Sequence, residues 1–183
     1  MIEDKVKVFD FPLECHTAYY FAKCKHEEIY QIRKYSGKPY FVHPKGVALV
    51  VMKCGGNNDQ VKAALLHDTL EDTHTSDEEI RVCFGEHTQQ LVRELTNSKY
   101  KIEQMGGKEA YMNDKLMNLS NEALLIKLAD MFYNINDMPD EAQRVRIIKN
   151  ISYVLENRKD LTENTKFLAV MVRDGVWEQV LKR

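Results

Sequence analysis

No run of apolar residues in this chain approaches the roughly 20 needed to span a bilayer, which argues against a membrane protein. Neither sign of charge dominates. The formal net charge is -2, too small to draw a polyanion such as nucleic acid by bulk electrostatics. The first residues, MIEDKVKVFDF, carry acids and no long apolar run, so they do not read as a secretory signal. Cysteine is scarce: Cys15, Cys24, Cys54 and Cys83, none in a C-x-x-C pair. That spacing argues against a zinc ribbon or a redox dithiol. Without a secretory signal, disulfides are the poorer reading and buried free thiols in a cytoplasmic protein the better one. Strand-type alternation, internal repeats and low-complexity segments are also missing.

What is present is an ordinary globular composition, 44% apolar and 30% charged, in 183 residues. Such a length suits one domain with a real core. Helical periodicity dominates. Leu13 to Lys34 reads as a long first helix, ended by Ser36-Gly37-Lys38-Pro39. Pro44 suits the first turn of a second helix carrying Val47, Ala48, Val50 and Val51, which Gly55-Gly56-Asn57-Asn58 closes. Asp59 is the expected cap of a third helix. Thr73-His74-Thr75 reads as a loop, and Ser76 with Glu79 as a capping box whose short helix ends at Gly85. Helix is expected over Glu86–Leu95, a polar loop over Thr96–Gly107, and helix again over Lys108–Leu116. A further helix runs from Asn121 to Met138, before Pro139. Asp140–Asn157 and Leu161–Val172 read as two more. The fold class is all-α, a helical bundle in a single domain. Residues 1–138 would be its main unit, with the helices of 139–183 packing on it.

The third helix carries the run Ala63 to Thr73, AALLHDTLEDT. The fourfold spacing of His67 with Glu71, and of Asp68 with Asp72, points all four to one side of a helix. Ala64, Leu65 and Leu66 are to be buried, so an imidazole and three carboxylates follow an apolar segment. Burying such charge without a partner is costly, and one divalent cation answers several ligands at once. Two further ligand types stand elsewhere: His43 just before Pro44, and Asp130 in IKLADMFYNIND. Mixed imidazole and carboxylate ligands suit Mn²⁺, Fe²⁺ or Zn²⁺. Such a metal lowers the pKa of a bound water and neutralises charge on a phosphoryl oxygen.

His43, then His67-Asp68, then Asp130 resembles the pattern of HD-domain metal-dependent phosphohydrolases. SGKPYFVHPKGVA, AALLHDTLEDT, Phe84-Gly85, LVRELT and IKLADMFYN resemble the hydrolase domain of RelA/SpoT proteins, over about Arg33 to Met138. That domain removes the 3′-pyrophosphate of the alarmone (p)ppGpp. No residues remain for synthetase or regulatory domains, so the chain is similar to a small stand-alone alarmone hydrolase of the metazoan SpoT-homologue type. That branch also hydrolyses the 2′-phosphate of NADPH. The resemblance implies one Mn²⁺ held by His43, His67, Asp68 and Asp130. It makes Glu71 and Asp72 the acidic pair that orients or deprotonates the attacking water. It places Asn134 on the ribose or phosphate, and Ser36 and Tyr40 at the base pocket. The family usually has Arg two positions before Ser36, where this chain has Lys34 beside Arg33, and Arg after Asp130, where it has Met131.

Plainer readings stand beside these. His16, His26, His74 and His87 read as satisfied polar residues, although His74 lies in a loop that could face substrate. Glu71 and Asp72 could form a solvated helix end. Lys127, Asp130, Asn134 and Asp137 make one helical stripe, flanked by Leu128, Ala129, Phe132 and Ile135. It reads as lining an internal cleft, with Lys127 either offsetting carboxylate charge or touching phosphate. Tyr19, Tyr20, Phe21 and Trp177 read as core or interface. Lys99, Lys101, Gly106, Gly107 and Lys108 form a solvated loop or a phosphate-binding lid. Ile147, Ile148, Ile151, Val154 and Leu155 share one apolar face, which caps the domain or contacts a second copy in a homodimer. The leading expectation is a cytoplasmic Mn-dependent hydrolase of (p)ppGpp, releasing GDP or GTP and pyrophosphate. The alternatives are another nucleotide, such as NADPH or a nucleoside monophosphate, and an alarmone-binding regulator without turnover.

Overall fold

A computed structural model describes residues 6–137 and 140–175. Its helices are α1 (His16–Glu28), α2 (Val42–Lys53), α3 (Asn58–Leu66), α4 (Thr69–Asp72), α5 (Asp77–Phe84), α6 (Glu86–Leu95), α7 (Lys99–Gln104), α8 (Lys108–Asn118), α9 (Asn121–Asp137), α10 (Glu141–Asn157) and α11 (Glu163–Asp174). Among the described residues there is no strand; a single antiparallel bridge joins Ile32 to Pro39. The all-α fold is as expected. No helix there is long and apolar enough to cross a membrane. Met138, Pro139 and Trp177 lie outside the described residues.

The centre is built from α2, α3 and α9, because each carries a long buried apolar segment. Val47, Ala48 and Val51 on α2, Ala63 to Leu66 on α3, and Leu124, Ile126, Leu128 and Ala129 on α9 are buried. Small residues let these backbones approach closely. Gly46 shows how closely: a Cβ there would overlap the Tyr133 ring of α9. α1 packs on α3, α6 on α3 and α9, α10 on α8, and α11 on α9 and α10. Ile151 and Val154 of α10 are buried in these contacts.

Several local expectations need correction. The first helix ends at Glu28, and Tyr30 takes a left-handed φ of 52°. Ile29 and Ile32 continued the helical period, but Ile32 is exposed and bridges to Pro39 instead. The cap of α3 is Asn57, not Asp59. Asn57 Oδ1 accepts from Gln60 N at 2.9 Å and Gln60 Oε1 from Asn57 N at 3.0 Å, a reciprocal box. Asp59 sits inside the first turn, paired with Lys62 at 2.9 Å. The stretch Thr96–Gly107 contains α7, capped by Ser98 and closed by Gly106 and Gly107 at φ 76° and 136°. All four cysteines are free thiols, but only Cys15 and Cys54 are buried; Cys24 and Cys83 are exposed.

Candidate metal centre

The expected single helix through His67 and Asp72 is two. α3 stops at Leu66, His67 caps its C-terminus, and Asp68 starts the one-turn α4. Thr69 Oγ1 donates to Leu66 O at 2.7 Å and stabilises the turn. The break separates the roles of the run. His67 points inward and is buried, whereas Glu71 and Asp72 are exposed and turn to different neighbours.

His43 sits in the first turn of α2, and Asp130 in the middle of α9, so the packing of α2, α3 and α9 brings three stretches together. Ligand atoms of His43, His67 and Asp130 lie within 4.8 Å of one another, all in buried residues. His43 Nε2 is 3.2 Å from Asp130 Oδ1 and 3.5 Å from Asp68 Oδ2. His67 Nε2 is 3.1 Å from Asp68 Oδ2 and 3.8 Å from Asp130 Oδ1.

These residues fit a divalent cation for a specific reason. His67 Nδ1 lies 2.8 Å from Ala64 O. A carbonyl only accepts, so that nitrogen carries the proton and Nε2 holds the lone pair. Nε2 is buried without a hydrogen-bond partner and faces two carboxylates. Lone pairs converging there repel unless positive charge lies among them. Burial pushes His67 down, yet Asp68 and Asp130 outweigh it and raise the imidazole to about 9. The site therefore draws a cation in one form or another. Burial holds His43 low, as a neutral donor atom. Two imidazoles with two carboxylates form a donor set suited to Mn²⁺, Fe²⁺ or Zn²⁺.

Polar groups fix these candidate ligands, as metal sites generally require. Lys127 Nζ donates to Asp130 Oδ2 at 2.7 Å, and Asn134 Nδ2 to Asp130 Oδ1 at 2.6 Å. Burial favours a neutral Asp130, but Lys127 and His43 outweigh it and hold the carboxyl well below its ordinary range. Tyr40 Oη donates to Asp68 Oδ2 at 2.7 Å. Burial and the Asp68 charge push that phenol up, so it stays a donor. Arg33 donates to Asn134 Oδ1 at 2.9 Å, and its guanidinium lies 5.6 Å from the Tyr40 ring centroid.

Of the expected substrate contacts, Tyr40, Lys127 and Asn134 meet at this centre, while Lys34 and Ser36 do not. Lys34 is exposed, with its ammonium 5.1 Å from the Tyr35 ring centroid. Ser36 is exposed on the turn closed by Gly37 N to Arg33 O at 3.0 Å. Arg33 rather than Lys34 turns toward Asn134 and Tyr40, beside the bridge at Ile32. A cavity of about 130 Å³ adjoins the centre, lined by Lys127, Asp130 and Asn134 on α9 and by Lys108, Arg146 and Asn150 on α8 and α10. Arg146 and Asn150 escaped the sequence reading, since α10 was read only for its apolar face.

Glu71 and Asp72 are exposed on α4, and each accepts from an amide. Asn97 donates to Glu71 Oε1 from its backbone N at 2.6 Å and from Nδ2 at 3.0 Å. Gln31 Nε2 donates to Asp72 Oδ2 at 2.9 Å. Neither amide has a sequence signature, because each lies in a loop remote from the carboxylate it meets. Of the histidines read as satisfied, His16 bonds Phe11 O at 3.0 Å, His87 pairs with Glu122 at 3.1 Å, His74 is exposed, and His26 is buried with one nitrogen unpartnered.

The family described as HD domain matches residues 18–161 of the chain. A guanosine-3′,5′-bis(diphosphate) 3′-pyrophosphohydrolase of Aquifex aeolicus is 43% identical over 129 residues, 68% of this chain and 18% of that protein. The enzyme of that name, MESH1, from Xenopus tropicalis is 42% identical over 121 residues, 64% of this chain and 65% of that protein. The chain thus spans less than two thirds of the length of either relative. A solved structure described as a metazoan ortholog of SpoT that hydrolyzes ppGpp superposes with a TM-score of 0.72 at 27% identity, covering 92% of this chain and 97% of that one.

Proposed function

The chain belongs to the HD-domain family, and from that premise we propose that it hydrolyses the 3′-pyrophosphate of (p)ppGpp to GDP or GTP plus pyrophosphate. The observation that carries the reading is the convergence of His43, His67, Asp68 and Asp130 on one point, in a chain similar to proteins named for this activity. These four residues would hold one Mn²⁺. The cation would supply charge neutralisation at the phosphoryl group and a more acidic water.

The protein's own groups do the rest. Glu71 and Asp72 orient the attacking water and take its proton as its oxygen bonds to phosphorus; the bond from phosphorus to the 3′ oxygen breaks, and that oxygen leaves as a hydroxyl by taking a proton back from the acidic pair or from solvent. Lys127 keeps Asp130 ionised and faces the cavity where Lys108 and Arg146 offer positive charge to phosphate. Arg33, held between Asn134 and Tyr40, presents a planar guanidinium on which a base stacks. Asn134 contacts the ribose or phosphate from the cavity wall. Lys34 and Ser36 take part only from the exposed loop. Residues 1–138 and the helices beyond act as one catalytic unit in the cytoplasm.

The test is incubation with ppGpp and Mn²⁺, following pyrophosphate. Turnover by the wild type and none by Asp68→Ala is expected; equal rates would defeat the reading. A second substrate, a nucleotide such as NADPH, is favoured by Met131, which lines the cavity where the resembled family usually has Arg. Release of orthophosphate from NADPH, measured beside pyrophosphate from ppGpp, separates the two.

A further inference from the structure

Glu71 and Asp72 are exposed carboxylates at the end of a one-turn helix, where packing cannot hold them. A group that handles a proton must nonetheless be held to within about half an ångström of its working position. Each carboxylate is gripped by one amide, and each amide is gripped in turn by a buried side chain from another helix. Asn97 Oδ1 accepts from Lys115 Nζ at 3.2 Å. Lys115 is buried on α8, and its ammonium also donates to Leu95 O at 2.6 Å, at the end of α6, and to Thr96 O at 2.8 Å, on the cap that follows it. On the other side, Gln31 Oε1 meets His26 Nδ1 at 2.6 Å, and His26 is buried at the end of α1.

The chemistry of the partners fixes every orientation in both chains. A carboxylate only accepts, so each amide turns its nitrogen toward it and its oxygen away. An ammonium only donates, which suits Asn97 Oδ1. For Gln31 the same logic requires a donor, so His26 carries its proton on Nδ1. Its Nε2 is then a bare lone pair, consistent with a buried nitrogen that has no hydrogen-bond partner. Burial pushes the His26 imidazole down, in keeping with one proton rather than two.

We propose that Gln31 and Asn97 are positioning residues for the reaction, each fixing one proton-handling carboxylate and each oriented by a buried anchor, His26 or Lys115. The proposal rests on the catalytic reading of Glu71 and Asp72. Neutral amides suit this task better than cations would. An Arg or Lys bonded directly to the carboxylate would favour its charged form and weaken it as a base. With Lys115 placed one residue back, its charge fixes Asn97 while a neutral group touches Glu71.

The variants Gln31→Glu and Asn97→Asp keep side-chain size while placing a carboxylate oxygen against Asp72 or Glu71. Rates are measured on ppGpp and on bis(4-nitrophenyl) phosphate, which reports the centre without the nucleotide pocket. Each variant is expected to lose at least about tenfold in kcat, with KM and Mn²⁺ affinity within about twofold of wild type. Lys115→Met, if it folds, is expected to lose no more in combination with Asn97→Asp than either change alone. Nitrogen-15 spectra of His26 are expected to show the Nδ1–H tautomer, a readout that needs no turnover. The proposal is overturned if kcat is unchanged, if kcat and Mn²⁺ affinity fall together, or if His26 is protonated on Nε2. A wild type inert on both substrates would instead defeat the catalytic reading, and the tautomer would then decide the orientation of the His26–Gln31 chain alone.

Discussion

At the residue scale, the choice between Arg33 and Lys34 is the sharpest. They are neighbours in sequence, yet Arg33 bonds Asn134 at 2.9 Å and Lys34 is exposed. Arg33→Ala is expected to raise KM for a guanine nucleotide about tenfold, a loss of stacking and of one charged contact. Lys34→Ala should change it less than about twofold, since exposed charge contributes little. Steady-state kinetics on both variants checks this, and equal effects would count against Arg33. Lys127 offers a second test. Its ammonium is buried beside Asp130, so Lys127→Met leaves a buried charge unpaired. A stability loss of about 3–5 kcal/mol is expected in urea unfolding without metal, and added Mn²⁺ should recover part of it.

At the scale of the element, the sequence was legible wherever a local rule decided the structure. The box of Ser76 and Glu79, the glycine after Phe84, and the bounds of α6 depend on residues three or four apart, and all stand as expected. The end of α1 and the break after Leu66 were not legible; the cap of α3 is written in a box of residues three apart, and Asp59 was the wrong choice there. Asn57 and Asp59 both have capping side chains, and only Gln60, reaching back to Asn57, selects between them. Glycine ordinarily weakens a helix, but at Gly46 in α2 the Tyr133 ring occupies the space of the missing side chain. Gly46→Ala is therefore expected to destabilise by about 1–3 kcal/mol through overpacking, although alanine is the better helix former. Denaturant midpoints at constant m-value measure it.

The joint between α10 and α11 carries a pH dependence. Arg158 is buried, donates to Leu119 O at 2.8 Å, and pairs with Asp160. Hydrogen bonding from Arg158 is the largest influence on the Asp160 carboxyl and brings it from 3.8 down to about 2. A depressed folded pKa means the contribution is complete above the unfolded value and vanishes as pH falls through about 2. Asp160→Asn should therefore lose stability at pH 7 while its stability falls less steeply than wild type between about pH 4 and 2. Parallel curves for the two proteins would contradict this.

At the scale of the whole molecule, the candidate metal centre joins three helices that share one core, so a bound cation and the fold should stabilise each other. If Mn²⁺ is the cation, at about 100 times its Kd it is expected to add about 2.7 kcal/mol to unfolding, by mass action on the folded state alone. Thermal unfolding with Mn²⁺, and again after a chelator, should show a rise and its reversal. The shift should be lost in His67→Ala, whose Nε2 faces Asp68 and Asp130.

The sequence by itself determined the all-α class, most helix bounds, and the identity of His43, His67, Asp68 and Asp130 as candidate ligands. Periodicity and caps are local properties, written in residues a few positions apart, and the ligand types stand out in the family pattern that the chain resembles. Only the tertiary structure decided that Arg33 rather than Lys34 turns inward, that α10 brings Arg146 to the cavity, and that Gln31 and Asn97 hold Asp72 and Glu71. Those contacts join loops and helices far apart in the chain. No spacing rule encodes them, because they follow from how the buried faces of α1, α6, α8 and α10 settle around one core.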